Sequence, residues 1–195
     1  MKALNFVLIV IFPAVLFAQK KPVPAEIQIK TATLAAPEEL RESTKVYGYN
    51  DKGELVVLRE GTNYLVCIAD DPSKKGISVS CYSEKLEPFM ARGRQLTEEG
   101  KPEMERRDIR RQEAEDGSLQ LPDAPAMTYI LSGSEENYNP QTGELKDGHF
   151  RYVIYIPYAT AESTGLPEKP FTPGMPWIMD PGTHRAHIMI TPPKN

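Results

Sequence analysis

Cys67 and Cys81 are the only two cysteines among 195 residues, and each belongs to a short apolar segment beside a turn. Tyr64 to Ala69 and Ile77 to Cys81 have strand character, and Asp70-Asp71-Pro72-Ser73-Lys74-Lys75-Gly76 between them is turn-forming. Paired antiparallel with 67 opposite 81, the two strands hold these Cα atoms ~4.5–5.5 Å apart, within disulfide reach. Closing such a loop contributes about 3 kcal/mol in chain-entropy terms. The alternative, a redox pair, lacks the Cys-x-x-Cys spacing that supports it.

The neighbouring segments extend this sheet. Lys45 to Tyr49 and Glu54 to Arg59 flank the hairpin-type turn Asn50-Asp51-Lys52-Gly53, and Glu60 to Asn63 forms a second turn. Residues 45–81 therefore read as an antiparallel meander, since no helix intervenes to make a parallel crossover. Glu26 to Leu34 alternates like a strand, and Pro37-Glu38-Glu39-Leu40 opens a short helix. Further on, Leu86, Phe89, Met90, Gly93 and Leu96 fall at helical spacing that faces the sheet, with Ser83 or Pro88 at the helix start. Of residues 98–116, 13 of 19 are charged, with Glu103–Arg107 and Arg111–Glu115 four apart. That stretch reads as a solvated helix, or as a docking surface for a charged protein partner. Ala126 to Leu131, Phe150 to Tyr158 and Arg185 to Thr191 return to strand character, the second of them central because both its faces are apolar or aromatic. The expected fold class is α+β: a mainly antiparallel sheet with a helical insertion at about 83–116.

The N-terminus gives an address. Met1-Lys2 is followed by a 16-residue run from Ala3 to Ala18, interrupted by Asn5 and Pro13, and Gln19-Lys20-Lys21 restores polarity. Basic start, apolar run and small final residue are the parts of a secretory signal peptide, here residues 1–18. The run is shorter than the ~20 apolar residues of a spanning helix, so no stable membrane span is expected after cleavage. Residues 19–195 then form a single globular domain, long enough to fold without a metal. The ending Phe17-Ala18-Gln19 resembles export signals of Gram-negative bacteria, which places the protein in the periplasm or outside the cell. A net charge of −4 with no basic block argues against nucleic acid as a partner.

Candidate chemistry concentrates at 175–189, which holds two of three histidines, the single Trp and three of seven methionines. On a strand, Arg185, His187 and Met189 share one face, and Ala186, Ile188 and Ile190 the other. With Met179 and His184 from the adjoining loop, His187 and Met189 form a soft ligand set suited to copper. A hydrolase reading takes His187 or His184 as base, Ser163 or Thr164 as nucleophile, and Glu162 or Asp180 as orienting acid. A binding module without chemistry would use Trp177, Tyr155 and Tyr158 to line a shallow cleft. Each of these residues also has a plain reading as core or cover.

Gly61-Thr62-Asn63, Cys67, Cys81, Trp177-Ile178-Met179 and Gly182-Thr183-His184-Arg185-Ala186-His187-Ile188-Met189 together resemble an uncharacterised family of exported bacterial proteins. The resemblance covers roughly residues 32–192. It implies that the cysteine pair and the 177–189 stretch belong to a common structural design, and it supplies neither substrate nor cofactor. The expected function is a non-enzymatic ligand-binding or accessory module, with a copper-binding protein or a hydrolase as alternatives.

Overall fold

A computed structural model describes residues 21–194, so the expected signal peptide at 1–18 lies outside the described residues. The chain runs through α1 (Ala25–Thr33), a 3-10 turn (Glu38–Ser43), β1 (Lys45–Tyr49), β2 (Leu55–Arg59), β3 (Leu65–Ile68) and β4 (Ile77–Ser83). It continues through α2 (Glu87–Glu98), α3 (Glu103–Glu115), β5 (Ala126–Gly133), β6 (Tyr138–Asn139), β7 (Glu144–Leu145) and β8 (His149–Tyr155). It closes with α4 (Ala161–Thr164), β9 (Trp177–Met179) and β10 (His187–Ile190). Eight strands form one sheet in the order β2-β1-β3-β4-β5-β8-β10-β9, while β6 and β7 make a separate ribbon. The fold is α+β and mainly antiparallel, with α2 and α3 as the insertion at 83–116.

The cysteines pair as the spacing predicts. Cys67 stands opposite Cys81 between β3 and β4, with Cα atoms 4.0 Å apart and the sulfurs joined. Both are fully buried among Val46, Leu65, Val79 and Leu131, beneath Ala32, Ala35 and Ala36.

The meander is not what forms. β1 and β3 run parallel, with Val46 opposite Cys67. The β1–β2 hairpin closes as expected, with Gly53 at φ 77°. The chain then passes across the start of β1 and enters β3 on its other side. This short crossing needs no helix because β3 begins at the same end of the sheet as β1. Gly61 permits it: a methyl group there would lie 2.2 Å from the Lys45 amide nitrogen. Thr62 and Asn63 donate their amides to Ser43 O at 2.8 and 3.2 Å. The Asn63 side chain donates to Leu40 O and accepts from Leu65 N at 2.8 and 2.9 Å. Gly61-Thr62-Asn63 is thus a crossing device.

The expected strand at 26–34 is instead the helix α1. Pro24 accepts the amides of Ile27 and Gln28, and the buried positions 28, 31, 32 and 35 follow helical spacing. Two polar members of that stripe disguise it. Gln28 donates to Tyr49 O and accepts from Tyr49 N, both at 2.8 Å, so its amide completes strand β1. Thr31 Oγ1 donates to Gly143 O at 3.2 Å, docking the loop that carries β6 and β7.

The opposite face of the sheet is covered by α2 and α3, which are parted at Gly100. Leu86, Phe89 and Leu96 are buried, each contributing about 1.5–3 kcal/mol. Ser83 caps the turn before α2, accepting from Lys85 N. Gly93 departs from expectation: a methyl group added there would lie 2.9 Å from Arg110 Nη1, so its open side faces α3 rather than the sheet. α3 buries no residue, matching its reading as a solvated helix. It is held by Arg92, which grips Glu113 through three contacts of 2.7–3.0 Å, and by Arg110, stacked 4.3 Å over the Phe89 ring. β8 is central as expected, between β5 and β10, but it ends at Tyr155. Among the described residues, no helix is long and apolar enough to cross a membrane.

Reducing Cys67–Cys81 removes a constraint spanning 14 residues and should lower unfolding free energy by about 3 kcal/mol in urea titration. Gly61→Ala pushes a methyl into the Lys45 backbone and should cost at least ~2 kcal/mol in the same assay, although Ala ordinarily stabilises where it fits.

Candidate functional site

The crossing at Gly61 leaves β2 at the edge of the sheet, and beside it opens a groove of about 1070 Å3. Leu55 and Val56 of β2 line one rim, Tyr49 and Ile68 contribute from β1 and β3, and Arg94 and Thr97 stand on the α2 wall. The turns 51–54 and 71–74, Glu98 at the end of α2 and residues 21–22 complete it, so that lysines and carboxylates alternate around its rim. Burial, with the carboxylates of Asp71 and Asp70 beside it, pushes the Tyr49 hydroxyl up to about 12, so it is a neutral donor here.

Arg94 is fixed rather than mobile. Its guanidinium donates to Glu87 Oε1 at 2.6 Å and to the Tyr82 hydroxyl at 2.9 Å, and it lies 4.5 Å above the Tyr47 ring. Tyr82, fully buried, donates to Glu87 Oε2 at 2.5 Å, and Tyr47 donates to Glu87 Oε1 at 3.3 Å. Burial and the Glu87 carboxylate push the Tyr82 hydroxyl well up, which keeps it protonated. Glu87 and Arg94 are seven residues apart on one helix face, and both tyrosines rise from the sheet to meet them. The network fastens α2 to the sheet and holds a cation on the groove wall, where its remaining N–H groups can meet a carboxylate. Nothing in the sequence reading singled out Glu87, Arg94 or Tyr82, because the helix spacing alone does not reveal the strand partners.

The histidine stretch lies elsewhere, under α2 and α3. His187 is opposite Met179 on β9 and Tyr155 on β8, and Met189 is opposite Trp177 and Val153. Of the expected face, His187 and Met189 stand together on β10 with Met179, Trp177 and Tyr155 opposite them and Ile188 and Ile178 on the other face, whereas Arg185 lies before the strand and Met179 belongs to β9 rather than to a loop. His184 and His187 are both buried. The Phe89 ring centroid is 6.0 Å from that of His184 and 6.1 Å from that of Tyr155, and the Tyr155 and His187 centroids are 5.3 Å apart. His187 Nδ1 lies 2.7 Å from Arg185 O, so the tautomer with Nδ1–H donating leaves Nε2 as the lone pair. Both nitrogens of His184 are buried without a hydrogen-bond partner. Burial lowers both imidazoles from 6.5, reinforced at His184 by the cations Arg185 and Arg110, so both are neutral near pH 7.

The other candidates disperse. Tyr158, half exposed and at φ 64°, lies beyond the end of β8. Neither it nor Trp177 nor Tyr155 lines the groove. The hydroxyls of Ser163 and Thr164 donate to Thr160 O at 3.2 and 2.8 Å within the start of α4, and neither meets an imidazole. Asp180 pairs with Arg185 at 3.5 Å. Among the described residues, no three His, Cys, Asp or Glu side chains are grouped to hold a metal ion. Compared with protein-family models, with curated proteins and with solved structures, the chain matches none.

Because the folded imidazoles resist protonation while the unfolded chain takes up protons near 6.5, stability is complete above about that pH and falls below it. Unfolding free energy should decline as the pH falls below about 6.5, at up to ~1.4 kcal/mol per pH unit for each histidine, and the thermal midpoint with it. His184→Phe should flatten that slope. Tyr82→Phe, which removes a buried donor to a carboxylate, should cost about 1.5–3 kcal/mol in chemical unfolding without a pH signature in that window.

Proposed function

We propose that this is an exported, periplasmic or secreted, non-enzymatic binding or accessory protein whose groove takes an extended ligand carrying a carboxylate. The observation that carries the reading is Arg94, a guanidinium immobilised by Glu87 and Tyr82 on the wall of the groove. A cation whose rotamer is already fixed loses little entropy when it meets an anion, and its planar fork favours carboxylates. The disulfide, the leader-like N-terminus and the resemblance to exported bacterial proteins support the location.

The reading is tested with end-blocked Ala-Glu-Ala and its isostere Ala-Gln-Ala, followed by amide chemical shifts. The Glu peptide should perturb residues around Arg94 and Tyr49 and bind at least about fivefold more tightly than the Gln peptide. Arg94→Lys, which keeps the charge and loses the fork, should remove most of that difference. Equal shifts with both peptides, or none, would overturn the reading.

A second reading, copper binding through His187, Met189, His184 and Met179, is favoured by one specific observation: a buried imidazole with two unpartnered nitrogens stands three residues before a histidine flanked by thioethers. Neutral imidazole and thioether are the ligand types that cuprous ion takes. At a hundredfold excess over its dissociation constant, Cu(I) should stabilise the fold by about 2.7 kcal/mol, and Zn(II) should not. Loss of that gain in His187→Ala would support this site, and the absence of any shift with copper would dispose of it.

A further inference from the structure

Four cations and four carboxylates line the groove, so a purely anionic ligand would meet as many like charges as opposite ones. These groups are not equally engaged. Asp71 holds Lys74 at 3.0 Å, and Glu54 accepts from Asn50 Nδ2 at 2.8 Å. Asp51 has Lys52 beside it on the hairpin turn. Glu98 differs from all three. It is the last residue of α2, one helical turn beyond Arg94, and among the described residues its carboxylate has neither an ion pair nor a hydrogen bond. The adjacent Glu99 is taken by Arg92 at 3.5 Å. The last turn of α2 carries no basic residue, although a helix C-terminus is the negative end of its dipole and favours a cation. Glu98 thus adds a carboxylate to an end that is already negative. Thr97, between the two charges, spends its hydroxyl proton on Gly93 O at 2.9 Å. The α2 wall therefore presents a fixed guanidinium and, ~6 Å further along the axis, a carboxylate without a cation.

We infer that the groove takes a peptide segment with an acidic and a basic side chain two residues apart, the carboxylate on Arg94 and the ammonium on Glu98. Spacing selects this pattern. In an extended chain, side chains two apart share a side and are separated by ~6.6–6.8 Å, close to the rise from Arg94 to Glu98. Adjacent side chains point to opposite sides, and those four apart are separated by ~13 Å, so neither arrangement engages both groups. The inference rests on the carboxylate reading of Arg94 and adds the second contact to it. Arg94 is half-buried and immobilised, whereas Glu98 is exposed. The acidic side chain therefore supplies most of the charge-dependent affinity, and the basic one selects among acidic segments.

The test uses end-blocked Ala-Glu-Ala-Lys-Ala and Ala-Lys-Ala-Glu-Ala, which present the pair in the two chain directions, each followed by amide chemical shifts of the protein. The better of the two should bind about threefold more tightly at low salt than its counterpart with Gln in place of Lys, and the gain should shrink as salt is added. Moving Lys next to Glu should abolish the gain. Glu98→Gln, an exposed change at a helix end, should remove the Lys gain and leave the preference for Glu over Gln made at Arg94. Glu98→Lys should reverse the choice and favour Ala-Glu-Ala-Glu-Ala over the Lys peptide. Equal binding of the Lys and Gln peptides while Glu is still preferred at Arg94, or a Lys gain that survives in Glu98→Gln, would overturn the pair and leave the carboxylate reading standing. Loss of the Glu preference as well would overturn both.

Discussion

The close passage of the chain across the start of β1 governs most of this architecture. Gly61 crosses against the Lys45 backbone with no room for a side chain, and Asn63 fixes the crossing by bonding back to the 3-10 turn. Arg59 adds to the clasp by donating to Arg41 O and Thr44 O. Because β3 emerges on the far side of β1, β2 is left at the sheet edge, and β1 and β3 run parallel. The disulfide then ties the displaced strand to β4. The groove and the edge position of β2 are both consequences of this single topological choice.

The two sides of the sheet are secured differently. α1 lies close because Ala32 and Ala35 are small, and it is registered by Gln28 bonding to both backbone groups of Tyr49. The other side combines apolar burial of Leu86, Phe89 and Leu96 with the Tyr82–Glu87–Arg94 network. Removing one member of such a network leaves buried partners unsatisfied, so its worth lies in holding α2 in one place as much as in net stability. α3, which buries no residue, depends on Arg92–Glu113 and on Arg110 over Phe89. The neutral histidines occupy the same layer, which couples their protonation to the seating of the helix pair.

Local signals were legible where one spacing rule sufficed. The cysteine register, the Asn50–Gly53 turn, Pro88 in the first turn of α2, the central place of β8 and the shared face of His187 and Met189 all follow from periodicity or turn chemistry. α1 was not legible as a helix, because Gln28 and Thr31 are buried through hydrogen bonds that a hydrophobicity pattern counts against burial. The parallel β1–β3 pair was hidden because antiparallel pairing is the usual result of a short connection, and nothing local marks a five-residue link that crosses a strand end. The groove was illegible for a related reason: its lining comes from strands, a turn and a helix far apart in sequence.

By itself, then, the sequence determined most of the longer secondary elements, the pairing of its two cysteines, and the residues that share the His187 face. These depend on side-chain period and on covalent reach, both of which act over a few residues. Only the tertiary structure decided that Gly61 carries a crossing, that Gly93 serves α3 rather than the sheet, and that Arg94 stands fixed beside an edge groove. Those outcomes depend on which surfaces meet when distant segments pack, and steric exclusion between backbones is not written in any one segment's pattern.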